Sequence, residues 1–357
     1  MEKPPQQLRC LIAAGGTAGH VLPALAVAEA LSSRGVHVTF AGSPDRVEAR
    51  LVPEAGYELD TFSISGLPRR PTPALARALF RAGRAPLACR RILRRRRPDV
   101  VLGAGGFVAG PMVLAAATMR IPAALTEADA HLGLANRLAA PYARRVFLAL
   151  PVDSRSGAKY RVVGRPIPPR SRPVPQEEAR EIFELPFDRR VLVVVGALAG
   201  AKTLNEFVVD TFGQRGPAIL HITGRRDFDL VRRRVRREDY RVLPETERFG
   251  AALSAGDLVL ARSGGTVWEI AAAGKPAVLV PYPFATGDHQ AKNAEHFVRA
   301  GGAIMVRELD LDDVADRVRS LLDDAPRLRR MTAAMLDAAR PNAAEEIAEE
   351  LVALASA

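Results

Sequence analysis

His20 closes the run Gly15-Gly16-Thr17-Ala18-Gly19-His20, which follows a short apolar segment (8–13) and precedes Leu25, Val27, Ala28 and Leu31 at helical spacing. The order is strand, glycine loop, helix. Small residues at such a turn let a polar ligand approach the backbone, and the first amide N–H groups of the helix would face it. Histidine has an ordinary pKa near neutrality, so His20 at the carboxyl edge of a sheet could take a proton from an attacking hydroxyl. The turn has neither the Gly-Lys-Ser/Thr of a Walker loop nor GxGxxG spacing, which argues against a nicotinamide enzyme. The plainer alternative is a tight turn required by packing. His37, His131, His221 and His296 receive structural roles by default.

A second glycine cluster, with Gly103, Gly105, Gly106 and Gly110, follows the apolar segment 100–102 and should lie at the same sheet edge. Two such loops on one cleft suit a large substrate. Thr126, Glu127 and Asp129 close a further strand, with Asn136 downstream; they could bind sugar hydroxyls or cap a helix.

The densest pattern lies in the second half. Segment 258–261 leads into Arg262-Ser263-Gly264-Gly265-Thr266 and a helix carrying Glu269. A glycine-bearing helix start suits a diphosphate. Glu269 could close a capping box with Thr266 or hold both hydroxyls of a ribose. After strand 277–280, a polar loop with Asp288 and His289 opens a helix on which Gln290 and Asn293 share a face.

These residues need elements to hold them. Apolar runs at 8–13, 36–41, 100–102, 123–126 and 146–150 alternate with helical patterns, as do runs at 191–195, 218–223, 258–261 and 277–280. The alternation predicts two α/β domains with parallel sheets. Six prolines and two glycines between 151 and 175 predict the interdomain linker there. The expected divisions are 1–163, 164–340 and a C-terminal helix in 341–357 of unassigned placement.

The 357 residues carry a net charge of +11, and the segment 69–97 holds eleven arginines with no Asp or Glu. With Leu67, Leu75, Leu79, Phe80, Leu87, Ile92 and Leu93, the segment suits an anionic bilayer, or is a solvated basic helix. It lacks the interleaved aromatics of nucleic-acid binders, so no nucleic-acid partner is expected. No apolar run is long enough for a membrane span, and residues 1–10 contain no signal-peptide core. Cys10 and Cys89 lack disulfide or zinc spacing and are read as small packing residues.

The segments AGGTAGHVLPALAVAEAL, LVPEAGYELDTFSISGLPRR, PDVVLGAGGFVAGP and RSGGTVWEIAAAGKPAVLVPYPFATGDHQAKNA, in this order, resemble the MurG family over almost the full length. That family adds N-acetylglucosamine to undecaprenyl-diphospho-N-acetylmuramoyl-pentapeptide. The resemblance implies the GT-B architecture, two Rossmann-like domains facing a central cleft. It also implies UDP-N-acetylglucosamine as donor, the undecaprenyl-linked muramoyl-pentapeptide as acceptor, and a peripheral location on the cytoplasmic face of the cell membrane beside other cell-wall synthesis proteins.

By resemblance, Thr17, Ala18 and Gly19 face the donor's sugar and diphosphate, and His20 is the base candidate or a sugar contact. Ser263, Gly264, Gly265 and Thr266 meet the diphosphate or sugar, Glu269 the ribose, and Gln290 the sugar. The uracil contact, made by backbone, falls near Thr246 to Phe249. Gly105, Gly106, Glu127 and Asn136 are expected on the acceptor side. Three stretches depart from the family pattern: Leu198 replaces a donor-contacting serine, Ala128-Asp129 replaces Gln-Asn, and Pro168 stands where the family has an arginine. Arg165 or Arg170 is expected to serve the diphosphate in that arginine's place, and Asp129 to face the donor. The expected reaction is an inverting transfer without cofactor or metal, since no Asp-x-Asp stands near these loops. Alternatives are another UDP-sugar transferase of this fold, a UDP-sugar 2-epimerase, or an inactive binding homologue.

Overall fold

The computed structural model describes residues 7–64, 73–130, 132–152, 155–196 and 201–356. The chain forms two compact units, Met1–Pro168 with Pro341–Ala357, and Pro169–Arg340.

In the first unit, strands β1 (Arg9–Ala13), β2 (His37–Gly42), β3 (Glu58–Thr61), β4 (Val100–Gly103), β5 (Ala123–Glu127), β6 (Arg145–Leu148) and β7 (Tyr160–Val162) form one parallel sheet. Their spatial order is β3-β2-β1-β4-β5-β6-β7. Strand β1 is central, with Cys10 level with Val38 on one side and Val100 on the other. Leu11, Ile12 and Ala13 are fully buried, as expected of a parallel strand covered on both faces. The connecting helices are α1 (Ala18–Ser32), α2 (Glu48–Glu54), α3 (Pro73–Arg96), α4 (Gly106–Thr118) and α5 (Leu134–Ala139).

The second unit repeats the plan. Strands β8 (Val191–Val195), β9 (Ala218–Ile222), β10 (Tyr240–Leu243), β11 (Leu258–Ala261), β12 (Ala277–Leu279) and β13 (Ala303–Met305) form a parallel sheet in the order β10-β9-β8-β11-β12-β13. Helices α6 (Gln176–Ile182), α7 (Lys202–Phe212), α8 (Phe228–Arg234), α9 (Phe249–Ser254), α10 (Thr266–Ala272), α11 (His289–Arg299), α12 (Asp312–Asp323) and α13 (Ala325–Ala338) join them. Val191, Val193 and Val194 of β8 are wholly buried at the centre of this core.

Two expectations are corrected. The proline-rich stretch 151–175 is not all linker, because Tyr160–Val162 adds β7 to the first sheet. The division at 163/164 moves to 168/169, because the amides of Val163 and Gly164 still donate to the Leu148 carbonyl and keep that chain on β6.

The C-terminal helix α14 (Ala343–Ser356) lies against α1 in the first unit. Ile347, Ala348 and Leu351 are fully buried there. Glu350 pairs with Arg145 and Arg161, and Glu349 with Arg34 at 2.9 Å. Burying Ile347 and Leu351 contributes roughly 1.5–3 kcal/mol apiece. Both cysteines are buried, and desolvation pushes each thiol up to about 12.

Candidate active site

The first glycine turn leaves β1 and is capped by Thr17, whose Oγ1 lies 3.2 Å from His20 Nδ1 in the first turn of α1. Gly105 and Gly106 come to the same place from the end of β4. Gly105 has φ 96°, and a Cβ there would stand 2.5 Å from His20 Cδ2. Gly106, with φ 73°, is closer still: a Cβ would overlap the carbonyl oxygen of Gly15. The two glycine runs therefore close on each other, and only glycine satisfies both the backbone angle and the contact.

Two buried charged residues hold the turn, and sequence reasoning missed the role of each. Glu48, wholly buried at the start of α2, accepts from the amides of Gly16 (3.0 Å) and Ser43 (2.9 Å). Its only sequence signal is an acid in a helix's first turn, which an exposed residue would give equally. Arg165, 8% exposed, donates Nη2 to the Gly19 carbonyl at 2.5 Å and Nη1 to Ala128 at 3.4 Å. Gly19 is the carbonyl that Pro23, lacking an N–H, cannot engage in the i→i−4 ladder of α1. Arg165 was placed in the second domain by the expected division; it belongs to the first unit, beside His20.

Desolvation, followed by the charge of Arg165, lowers the His20 pKa below its ordinary value, against opposing effects from Asp129, the Gly15 backbone and Glu48. The imidazole is neutral at pH 7 and able to accept a proton. When Nδ1–H donates to Thr17, the lone pair of the imidazole is on Nε2.

Glu127, at the end of β5, is buried and accepts from Gly133 N (2.9 Å), Asn136 Nδ2 (3.0 Å) and Asp129 N (3.3 Å). Burial raises its pKa, partly offset by the Gly133 and Asn136 hydrogen bonds. Asn136 Nδ2 also donates to the Thr126 carbonyl at 2.9 Å. Neither Thr126 nor Asp129 caps α5, whose N-cap is Gly133. A pocket bounded by Gly19, His20, Thr126, Glu127 and Arg165 joins these groups, and Ile347 of α14 forms part of its wall.

In the second unit, β11 ends in buried Arg262, which donates to the Val280 and Pro281 carbonyls (3.3 Å each) and pairs with Glu308. It ties the exit of β11 to that of β12. Asn293 Nδ2 donates to the Ser263 carbonyl at 3.3 Å, and Gln290 Oε1 accepts from Tyr282 N at 2.9 Å. Gln290 Nε2 lies beside Gly264. The structure thus gathers Ser263, Gly264, Gly265, Thr266, Glu269 and Gln290 around the start of α10. The N-cap of α10 is Gly265 rather than Thr266, so no Thr266–Glu269 capping box forms. Glu269 instead accepts from the buried Ser171 hydroxyl at 2.6 Å, a partner the sequence did not suggest.

Thr246 follows β10, its Oγ1 accepting from Arg248 N at 3.1 Å. Leu198 and His131 lie outside the described residues. Arg170 stays in the second unit, in the single turn Pro169–Ser171. Below the start of α7, fully buried His221 bonds the Tyr240 hydroxyl (2.9 Å) and Asn205 Oδ1 (3.0 Å), and burial pushes its pKa down to about 3. Asn205 Nδ2 reaches the Thr223 carbonyl and Asp227, each at 2.9 Å.

Part of the basic segment is engaged within the first unit. Arg95 and Arg96 pair with Asp60, Arg96 also with Glu58, and Ile92 and Leu93 face the core instead of an outside surface. Leu87 is 60% exposed. Leu67 and the side chains of Leu75, Leu79 and Phe80 lie outside the described residues. Among the described residues, no helix is long and apolar enough to cross a membrane.

Residues 10–148 match the glycosyltransferase family 28 N-terminal domain and residues 190–350 its C-terminal domain. Two doubly wound parallel units with glycine turns at their carboxyl edges thus define a glycosyltransferase of the GT-B class. A UDP-N-acetylglucosamine--N-acetylmuramyl-(pentapeptide) pyrophosphoryl-undecaprenol N-acetylglucosamine transferase of Acidithiobacillus ferrooxidans is 44% identical, over 89% of this chain and 90% of the relative. The protein of the same name from Salinibacter ruber is 38% identical, over 97% and 96%. The crystal structure of Acinetobacter baumannii MurG superposes with a TM-score of 0.80 at 29% identity, covering 97% of this chain and 99% of that one. The chain belongs to the MurG family.

Proposed function

We propose that this protein transfers N-acetylglucosamine from UDP-N-acetylglucosamine to the muramoyl sugar of undecaprenyl-diphospho-N-acetylmuramoyl-pentapeptide, a step of peptidoglycan synthesis. The family match over nearly the whole chain supports the substrates, and the neutral imidazole of His20 beside the paired glycine turns carries the chemistry.

In this reading the acceptor hydroxyl attacks the anomeric carbon of the donor sugar while the bond to the UDP oxygen breaks. The hydroxyl proton passes to His20 Nε2, and UDP departs with the bonding electron pair, so the anomeric configuration inverts. Charge growing on the diphosphate meets the first N–H groups of α10 and its helix dipole. Glu269 holds the ribose hydroxyls, and Gln290 and Ser263 to Thr266 serve the sugar and diphosphate. Glu127 and Asn136, with Gly105 and Gly106, present the acceptor. The exposed arginines of α3 with Leu87 support peripheral docking on an anionic bilayer at its cytoplasmic face.

The test is transfer of labelled N-acetylglucosamine from its UDP donor to a short-chain analogue of the lipid-linked pentapeptide, with EDTA present and His20→Ala in parallel. Disaccharide-lipid product from the wild type, with kcat lowered roughly 10²–10⁴-fold in the variant, is the expected result. A wild type that binds the donor and makes no product would exclude this acceptor. Normal turnover by His20→Ala would remove His20 as the base.

A further inference from the structure

We propose that Ser171 is a positioning residue for the donor's ribose, acting by fixing the carboxylate of Glu269. The inference rests on the reading that Glu269 holds the ribose hydroxyls.

Ser171 lies 98 residues from Glu269 in sequence, at the end of the single turn Pro169–Ser171 where the second unit begins. It is 0% exposed, and its hydroxyl donates to Glu269 Oε1 at 2.6 Å. That length is typical of an O–H donor to an ionised carboxylate, one of the stronger neutral-to-charged hydrogen bonds. Glu269 stands in the first turn of α10, where its terminal torsion is intrinsically broad and open to restriction by a fixed partner. A rigid external donor supplies the constraint.

The donor is rigid because its segment is clamped. Gly250, at the start of α9, lies so close to the backbone of Ser171 and Arg172 that a Cβ would overlap the Arg172 carbonyl. The Val174 amide donates to Ser254 Oγ at 3.2 Å, and the Arg172 amide to the Pro169 carbonyl at 3.1 Å. The arm 169–174 thus lies along α9 and ends its contacts on the ribose carboxylate. Ribose diols bind a carboxylate through two parallel O–H···O bonds, a geometry that a rotating carboxylate meets only part of the time.

The experiment compares steady-state kinetics with UDP-N-acetylglucosamine and its 2′-deoxyribose analogue in the wild type, Ser171→Ala, Ser171→Cys, Glu269→Ala and the Ser171→Ala/Glu269→Ala double variant. The Cys variant keeps the volume and donates weakly. Ser171→Ala is expected to raise KM for the ribose donor about 5–20-fold with kcat nearly unchanged, around the low end of what losing a hydrogen bond to a charged group would give. KM for the deoxy donor should move much less, the Cys variant should follow Ala, and the effect should vanish in the Glu269→Ala background. Equal changes with both donors, a fall in kcat alone, or additivity with Glu269→Ala would assign Ser171 a purely structural role and overturn the proposal. If Glu269→Ala itself leaves discrimination between the two donors intact, the ribose reading of Glu269 fails first, and the proposal with it.

Discussion

Arg165 donates to the carbonyl of Gly19, the acceptor that Pro23 leaves without a partner four residues on in α1. A proline inside a helix ordinarily costs a backbone hydrogen bond. Here a guanidinium fills the gap and brings a positive charge beside His20, where it helps hold the imidazole neutral. Replacing Arg165 by Met removes that charge, so the His20 pKa rises toward its ordinary value. The acidic limb of kcat/KM against pH is expected to move to higher pH, with the largest activity loss below about pH 6.5. An unshifted limb in Arg165→Met would mean that His20 does not set it.

Glu48 carries the glycine turn from below. Its replacement by Ala leaves the Gly16 and Ser43 amides without their acceptor. Each unsatisfied amide costs about 1–3 kcal/mol, so urea denaturation should show a loss of roughly 2–6 kcal/mol. Glu48→Gln, which can still accept one bond, should fall between the two.

Gly106→Ala combines a left-handed backbone angle with overlap on the Gly15 carbonyl. The expected outcome is a loss of at least about 2 kcal/mol in stability and of most turnover. Gly35→Ala, whose φ of 77° opens onto free space, provides the control, since it bears the backbone strain without the collision. Comparable damage from both would show that strain alone matters at Gly106.

His221 makes the second unit sensitive to acid. Its folded pKa of about 3 lies well below the unfolded value of about 6.5. Between these values the unfolded chain binds more protons, so stability is complete above about pH 6.5 and falls as the pH drops toward 3. From pH 6.5 to 5 the loss should be on the order of 2 kcal/mol. Trp268, the single tryptophan and buried in this unit, reports the transition by fluorescence. His221→Gln should flatten the pH dependence across that window; an unchanged slope would place the acid sensitivity elsewhere.

The nine strands expected from apolar runs all form, and the four that were missed, β3, β7, β10 and β13, are the four sheet edges. The physical reason is coverage. An interior parallel strand is buried on both faces and reads as a continuous apolar run, as in Val191–Val195. Edge strands interrupt that run with exposed or half-exposed residues, all three of Tyr160–Val162 among them, which leaves little pattern to find. The site divides in the same way. The turns around His20 and Ser263 are local, so spacing alone revealed them. The groups that hold them come from far along the chain: Arg165 is 146 residues from Gly19, Glu48 is 32 from Gly16, and Ser171 is 98 from Glu269. No local period marks such contacts. Arg165 was singled out for its charge and given a different place, because the prolines around it suggested that the first domain had already ended.

The first unit takes its last helix from beyond the second. Ile347 and Leu351 complete the same core as Leu31 and Val27, and Ile347 lines the pocket beside His20. On the ribosome, the continuous second unit can gather its own strands as soon as residues 169–340 have emerged. The first, although begun earlier, must keep the α1 side of its core open until α14 arrives. The half of the molecule translated first is therefore the half completed last, and a ribosome that stalls shortly after residue 340 releases a chain whose second unit is whole and whose His20 pocket lacks part of its wall.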